Sequence, residues 1–197
     1  MSTIILIAGG TASGKTTITQ KLSQCLDCVI IHHDRYYKDV ATPKGHNYDE
    51  PQALDNTRLK KDLESLKNNQ PTHIPIYDFP THKRLQQQEY ITPQKYIIVE
   101  GILTLAIPEI LTLGDVCIYV EAPADIRLMR RIRRDTIQRG RSIESVLNQY
   151  EKTVRPMHNQ YILPSKSKAS LVINGCGTIK NSVEQIEEHI KKYSKDT

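Results

Sequence analysis

Residues Ser2–Thr17 read STIILIAGGTASGKTT, and this stretch decides the fold. Ile4 to Ala8 is a short apolar run of the kind found in strands covered on both faces. It leads directly into Gly9-x-x-x-x-Gly14-Lys15-Thr16, and the residues from Thr16 to Leu26 read as a helix. Glycines let such a loop curl so that its N–H groups point inward at phosphate oxygens, and the positive end of the following helix favours the same anion. Strand before and helix after are the context a P-loop requires. Gly9, Gly10, Thr11, Ala12, Ser13, Gly14, Lys15, Thr16 and Thr17 are therefore the candidate phosphate cradle. Within it Lys15 reaches the β- and γ-phosphates and the Thr16 hydroxyl holds a magnesium ion. The loop leaves the reaction open, because ATPases, GTPase switches and small-molecule kinases all use one.

Working outward, runs of the same apolar kind occupy Val29–His32, Tyr96–Val99, Val116–Val120 and Leu171–Ile173. Helical stripes lie between and after them: Leu59, Leu63 and Leu66; Ile126, Met129 and Ile132; Ile143, Val146, Leu147, Tyr150 and Val154; and Val183, Ile186 and Ile190. Strands alternating with helices predict an α/β fold, a P-loop NTPase-type parallel sheet flanked by helices. The stretch QPTHIPIYDFPTHKRLQQQEY from Gln70 carries three prolines and breaks this rhythm. It reads as a small β-hairpin insertion over residues 70–92. With 197 residues the chain is read as one domain, 1–197.

Composition narrows the function. Hydrophobic residues at 38% and charged residues at 25% fit a folded, soluble protein. The first apolar run is too short to cross a bilayer and lacks the basic flank of a signal peptide, so a cytoplasmic protein with no membrane partner is expected. The net charge is +5, and seven of the eleven arginines fall from Arg127 to Arg141. Such a local cluster suits a compact polyanion, a nucleotide, better than a nucleic acid backbone, which needs an extended basic stripe. Cys25-x-x-Cys28 has the spacing of a redox or zinc site, but Cys117 and Cys176 stand alone, and all four are read as buried, reduced thiols.

Two strand ends carry carboxylates. VIIHHDRYY puts Asp34 just past the second strand, where ligands bind in doubly wound sheets. A kinase needs a carboxylate there to accept the proton of the attacking hydroxyl, although an aspartate in that place also serves as a helix cap. YIIVEG ends the next strand on Glu100, which can hold magnesium. His32 and His33 point to opposite faces as strand neighbours and cannot easily share one ion. In RLMRRIRRDTIQRGR, Arg127, Arg130, Arg131 and Arg134 lie within helical reach of one another. A nucleotide triphosphate would answer their charge. Gly140, between Arg139 and Arg141, reads as the hinge of an arginine-rich helical lid over 124–141.

The order GGTASGKTT, DRYY, NYDEP, YDFPTH, EGIL and RRIRRDTIQRGRSIESVLNQYEKTVRP resembles the uridine kinase (uridine-cytidine kinase) family from about Ile4 to Ile173. The resemblance implies a nucleoside kinase moving the γ-phosphate of ATP or GTP, with Mg2+, to the 5′-hydroxyl of uridine or cytidine in pyrimidine salvage. It implies Asp34 as catalytic base, acting with Lys15 and Arg134, and Thr16, Glu100 and Asp34 around the metal. Asp49 would bind the ribose hydroxyls, with Arg131 and Gln149 near the nucleoside. The hairpin would bind the base through Tyr77 and His82, with Tyr37 and Phe79 lining the pocket, and Arg134, Arg139 and Arg141 would handle the donor phosphates. Family members are commonly tetrameric and often inhibited by end-product triphosphates, which makes a homo-oligomer the expectation here. Arg35, Glu50 and Leu54 depart from the commoner serine, histidine and phenylalanine, and Arg35 beside Asp34 is expected to pair with it and lower its basicity. Two other readings stay open: a related kinase of another alcohol, such as phosphoribulokinase or pantothenate kinase, and a nucleotide-dependent switch or RNA-binding protein. The aromatic YDFPTH speaks against a sugar phosphate, and no guanine-reading Asn-Lys-x-Asp or RNA-binding aromatic signature is evident.

Overall fold

A computed structural model describes residues 1–39 and 46–196. Its strands are Thr3–Ala8 (β1), Cys28–His32 (β2), Thr72–Asp78 (β3), Lys83–Ile91 (β4), Tyr96–Glu100 (β5), Val116–Glu121 (β6) and Leu171–Asn174 (β7). Five of them form one sheet in the order β2-β5-β1-β6-β7, every neighbouring pair parallel. The other two, β3 and β4, pair antiparallel as a separate hairpin. All five expected core strands and the hairpin are present.

The central strand explains the layering. Ile4 through Ala8 are fully buried, and alternate residues enter opposite layers. Ile4, Leu6 and Ala8 join Leu59, Leu63 and Leu66 of helix Asn56–Lys67, with Ile74 and Ile91 of the hairpin. Ile5 and Ile7 join Ile18 and Leu22 of helix Lys15–Leu22, with Val183, Ile186 and Ile190 of the C-terminal helix Ile179–Asp196. Burying each of these side chains contributes about 1.5–3 kcal/mol, so the sheet is held from both sides.

Register then sets the site. His32 and Ile7 both pair with Glu100, so the carboxyl ends of β1, β2 and β5 lie along one edge. There β1 opens into the loop before the helix at Lys15, and a short 3-10 turn, His33–Tyr36, follows β2.

Several expectations need correction. The first helix ends at Leu22 rather than Leu26, because the Gln24 and Cys25 N–H groups take short bonds to the Lys21 and Leu22 carbonyls and tighten the chain into a turn. Helix Ala124–Ile137 does not bury an apolar stripe: Arg127, Arg131 and Asp135 are its buried residues, and Met129 is exposed. Its inward face lines the site, so charge rather than hydrocarbon is turned inside. In helix Ile143–Gln149 and the π-helical turn Tyr150–Val154 after it, Val146, Tyr150 and Val154 are buried but Ile143 and Leu147 are exposed. The row Ser145, Gln149 and Thr153 faces the cleft instead. The four thiols are free, yet only Cys28 and Cys117 are half-buried, with burial raising both pKa values, while Cys25 and Cys176 are exposed in surface turns. Among the described residues no helix is long and apolar enough to cross a membrane.

Candidate active site

The loop after β1 is shaped by sterics as much as by hydrogen bonds. A Cβ at Gly9 would collide with the Val120 carbonyl oxygen, so only glycine allows the loop to pass so close to β6. The Ser13 N–H closes the loop on the Gly10 carbonyl at 3.1 Å. Gly14 caps the following helix without a side chain, which leaves its first-turn N–H groups to an anion. Buried Arg127 lies beneath Gly10, donating from Nε to the Ala122 carbonyl at 3.0 Å and from Nη2 to His158 Nε2 at 3.1 Å.

Thr11, Ala12, Gly14, Lys15, Thr16 and Thr17 line one cleft of about 2030 Å³. Gly9, Gly10 and Ser13 support the loop from behind. At the cleft floor the Thr16 hydroxyl donates to both Glu100 oxygens, at 3.3 and 3.2 Å. His32 Nδ1 lies 2.9 Å from Glu100 Oε1. Burial would raise the Glu100 pKa, but the His32 hydrogen bond, the Lys15 charge and the Thr16 hydroxyl outweigh it and leave the pKa below its ordinary value. The His32 pKa is raised by the same bond. His33 turns the other way, to Asn56 Oδ1 at 2.9 Å, and burial lowers its pKa to about 4. The two histidines thus serve different elements. The donors that converge, Thr16 and Glu100, are hard oxygen ligands of the type magnesium takes from protein while phosphates and water complete its shell.

Asp34 sits on the 3-10 turn facing the cleft, and its side chain caps nothing among the described residues. Desolvation and the neighbouring Glu100 charge raise its pKa, against the opposing fields of His32, Lys15 and Arg139. It makes no hydrogen bond to Thr16 or Glu100 among the described residues, so the expected metal set is brought together only in part. Arg35 does not pair with Asp34: its guanidinium bonds Glu89 of the hairpin. The hairpin is further pinned by Arg84, which donates to the Tyr36 and Tyr37 carbonyls, each at 2.8 Å, and to Asp55 at 3.0 Å.

Aromatic rings gather where the hairpin meets the turn. Tyr37 and Tyr77 lie 5.5 Å apart and Tyr77 meets Phe79 edge-on at 5.2 Å. His82, in the left-handed region at φ 56, stacks on Tyr48 at 5.0 Å. Asp49 is buried beside them and accepts from the Thr153 hydroxyl at 3.0 Å. Desolvation raises its pKa, while the Arg131 charge and the Thr153 bond work against the rise. Leu54 is buried against Tyr37 in a short bridge, and Glu50 accepts from Asn47.

The arginines close the far wall. Arg131 Nη1 donates to Thr11 Oγ1 at 2.9 Å and Nη2 to Gln149 Oε1 at 2.8 Å, where Arg141 Nη1 also arrives at 2.6 Å. Arg134, Arg139 and Arg141 line the same cleft. Every expected side-chain position, from Lys15 through Gln149, therefore faces one cavity. Three contributors were missed, Tyr48, Thr153 and Asp135, while His32, weighed only as a metal ligand, holds Glu100 instead. Only Asp135 had a visible signal, as the one acid within the arginine run.

Residues 4–182 match the family described as Phosphoribulokinase / Uridine kinase family. The chain belongs to that family. Among relatives of the phosphoribulokinase/uridine kinase family, a uridine kinase of Clostridium tetani is 43% identical over 197 residues, covering 96% of this chain and 94% of its own. One from Chloroflexus aurantiacus is 40% identical over 196 residues, with 95% and 94% covered. Solved structures share the fold at lower identity. A possible uridine kinase from Bacillus stearothermophilus superposes with TM-score 0.64 at 18% identity over 88% of this chain and 89% of its own. Shikimate kinase from Acinetobacter baumannii gives 0.57 at 15% over 98% and 94%. The fold is that of a P-loop kinase, and a kinase of this family takes its phosphoryl group from a nucleotide.

Proposed function

We propose that the protein phosphorylates the 5′-hydroxyl of uridine or cytidine, using ATP or GTP, to give UMP or CMP. The observation that carries the reading is the union, in one cleft, of a phosphate loop with an aromatic-lined recess holding the buried carboxylate of Asp49. A flat pyrimidine is recognised by rings such as Tyr37, Tyr77, Phe79 and the His82–Tyr48 stack, and a sugar phosphate offers nothing for them to stack on. The relatives named uridine kinase, aligned along almost their whole length, support the same acceptor.

In this reading the Asp49 carboxylate accepts hydrogen bonds from the ribose hydroxyls and fixes the sugar, leaving the 5′-hydroxyl toward Asp34. Asp34 accepts its proton as the oxygen attacks the γ-phosphorus, and a raised pKa suits a base that must take a proton near neutrality. Lys15 bridges the β- and γ-phosphates, and Arg134, Arg139 and Arg141 meet the charge that develops on the transferring group. Thr16 and Glu100 are the residues that would hold a magnesium ion, which when bound neutralises phosphate charge. The lid over 124–141 excludes water that would otherwise hydrolyse the donor. We assign the whole chain to one kinase domain, acting in the cytoplasm as a homo-oligomer.

Incubation with uridine, ATP and MgCl2 followed by product analysis tests the reading. ADP and uridine 5′-monophosphate should form in equal amounts, and ADP without a nucleoside monophosphate would reduce the protein to an NTPase.

A further inference from the structure

Asp135 is the one acidic residue between Arg127 and Arg141, and its side chain is fully buried. Four guanidiniums surround it. Arg134 Nε donates to Oδ1 at 2.8 Å, while Arg139 Nη1, Arg131 Nε and Arg141 Nη1 stand 3.4, 3.5 and 3.6 Å from its oxygens. Helical spacing brings Arg131, four residues before, and the turn just past the helix end brings Arg139, four residues after. The fourth arrives through Gly140, whose φ of 62 turns the chain back so that the Arg141 N–H bonds the Asp135 carbonyl at 3.1 Å.

The distances matter as much as the count. Only Arg134 makes a full hydrogen bond to the carboxylate; the other three sit at ion-pair range, beyond ordinary hydrogen-bond length. Arg139 makes no hydrogen bond among the described residues and is more than half exposed, so its donors are drawn toward the carboxylate yet unspent. Arg131 and Arg141 meet again on Gln149 Oε1, which closes a ring through Asp135, and Arg131 continues to Thr11 of the phosphate loop. One carboxylate thereby holds Arg131, whose charge acts on Asp49 and whose donors reach the phosphate loop, together with Arg134, Arg139 and Arg141 along the same wall of the cleft.

We propose that Asp135 is a positioning residue that preorganises the lid arginines for both substrates at once. The inference rests on the kinase reading above. Four arginines against one aspartate leave about three positive charges, opposite in sign to the phosphates of a nucleoside triphosphate. Donors already gathered lose less freedom when the phosphates arrive, and fixed dipoles stabilise a developing charge better than ones that must reorganise. Without the carboxylate the guanidiniums repel one another, and the nucleotide must collect them from dispersed rotamers.

The test is steady-state kinetics of Asp135→Asn, with ATP and uridine each varied, beside a thermal melt. Both KM values should rise at least about tenfold and kcat should fall, in protein that is folded. A purely structural role would cut the amount of active enzyme, lowering kcat with both KM values unchanged, and that result would overturn the proposal. The double variant Asp135→Asn with Arg139→Gln restores the native net charge of the cluster but not its anchor. Its KM values should stay well above those of both the wild type and Arg139→Gln alone; wild-type KM values would show that net charge, not position, is what matters and would overturn the proposal. Where the asparagine variants do not fold, Asp135→Glu decides, because its displaced carboxylate should raise both KM values by at least about threefold. Wild-type KM values in that variant would overturn the proposal. Wild-type protein lacking uridine-dependent turnover would instead defeat the kinase reading, and is seen before any variant is measured.

Discussion

The Thr16 hydroxyl donates to Glu100 Oε2 at 3.2 Å, joining the first helix to the end of β5 across 84 residues of sequence. Glu100 stays ionised there because the His32 bond and the Lys15 charge outweigh its burial. Glu100→Gln keeps a partner for Thr16 but removes the charge. Its expected effect is an increase of at least about tenfold in the magnesium concentration for half-maximal activity, with the fold intact. An unchanged magnesium titration would take Glu100 out of the metal site.

The Asp34 side chain caps nothing among the described residues and faces the cleft, where the proposed base must stand. Asp34→Asn should lower kcat by about 10²–10⁴-fold while nucleotide binding survives, the usual range for losing a positioned proton acceptor. Pre-steady-state turnover together with nucleotide titration checks this, and a native rate for the chemical step would contradict it.

Asp49 should read the ribose. A buried carboxylate that loses one hydroxyl partner is left desolvated and unpaired, so uridine should exceed 2′-deoxyuridine by at least about 10²-fold in kcat/KM. Asp49→Ala should depress uridine use and narrow the ratio. Equal efficiency on the two nucleosides with the wild type would show that Asp49 serves only to bind Thr153.

His158 should make the protein acid-sensitive. Burial, helped by the Arg127 charge, lowers its pKa from 6.5 to about 4. Between those values the unfolded chain binds a proton that the folded chain refuses, so stability falls as pH drops from about 6.5 to about 4 and falls no further on this account below that. The loss is at most about 3 kcal/mol for such a shift, reduced by whatever solvent screens. Buried His33 adds a loss of the same sign. Melting temperature against pH should show a shallower acid slope for His158→Gln, whose amide oxygen can still accept from Arg127; parallel slopes would place the acid sensitivity elsewhere.

Much of this was legible in the sequence because its cause is local. A run such as Ile4–Ala8, short, rich in isoleucine and closed by two glycines, reads as a strand covered on both faces, the glycine spacing after it is loop chemistry, and Asp34 and Glu100 are marked by the strand ends they close. The rest depends on what docks against what. In helix Ala124–Ile137 the apolar stripe marks a helix but not its buried face, because Arg127, Arg131 and Asp135 turn inward to build a site. Arg35 could be assigned to Glu89 rather than to its neighbour only once the hairpin was seated beside the turn. The π-helical turn that presents Thr153 to Asp49 carries no sequence signature at all.

A coupled assay of ADP release across uridine, cytidine, ribulose 5-phosphate and pantothenate decides which acceptor the cleft takes. Turnover with uridine and cytidine is expected at a kcat/KM at least about 10²-fold above either other alcohol, because only they carry both a flat base suited to the aromatic recess and ribose hydroxyls suited to Asp49. Preferred turnover of ribulose 5-phosphate or pantothenate, with the pyrimidine nucleosides inert, would contradict it.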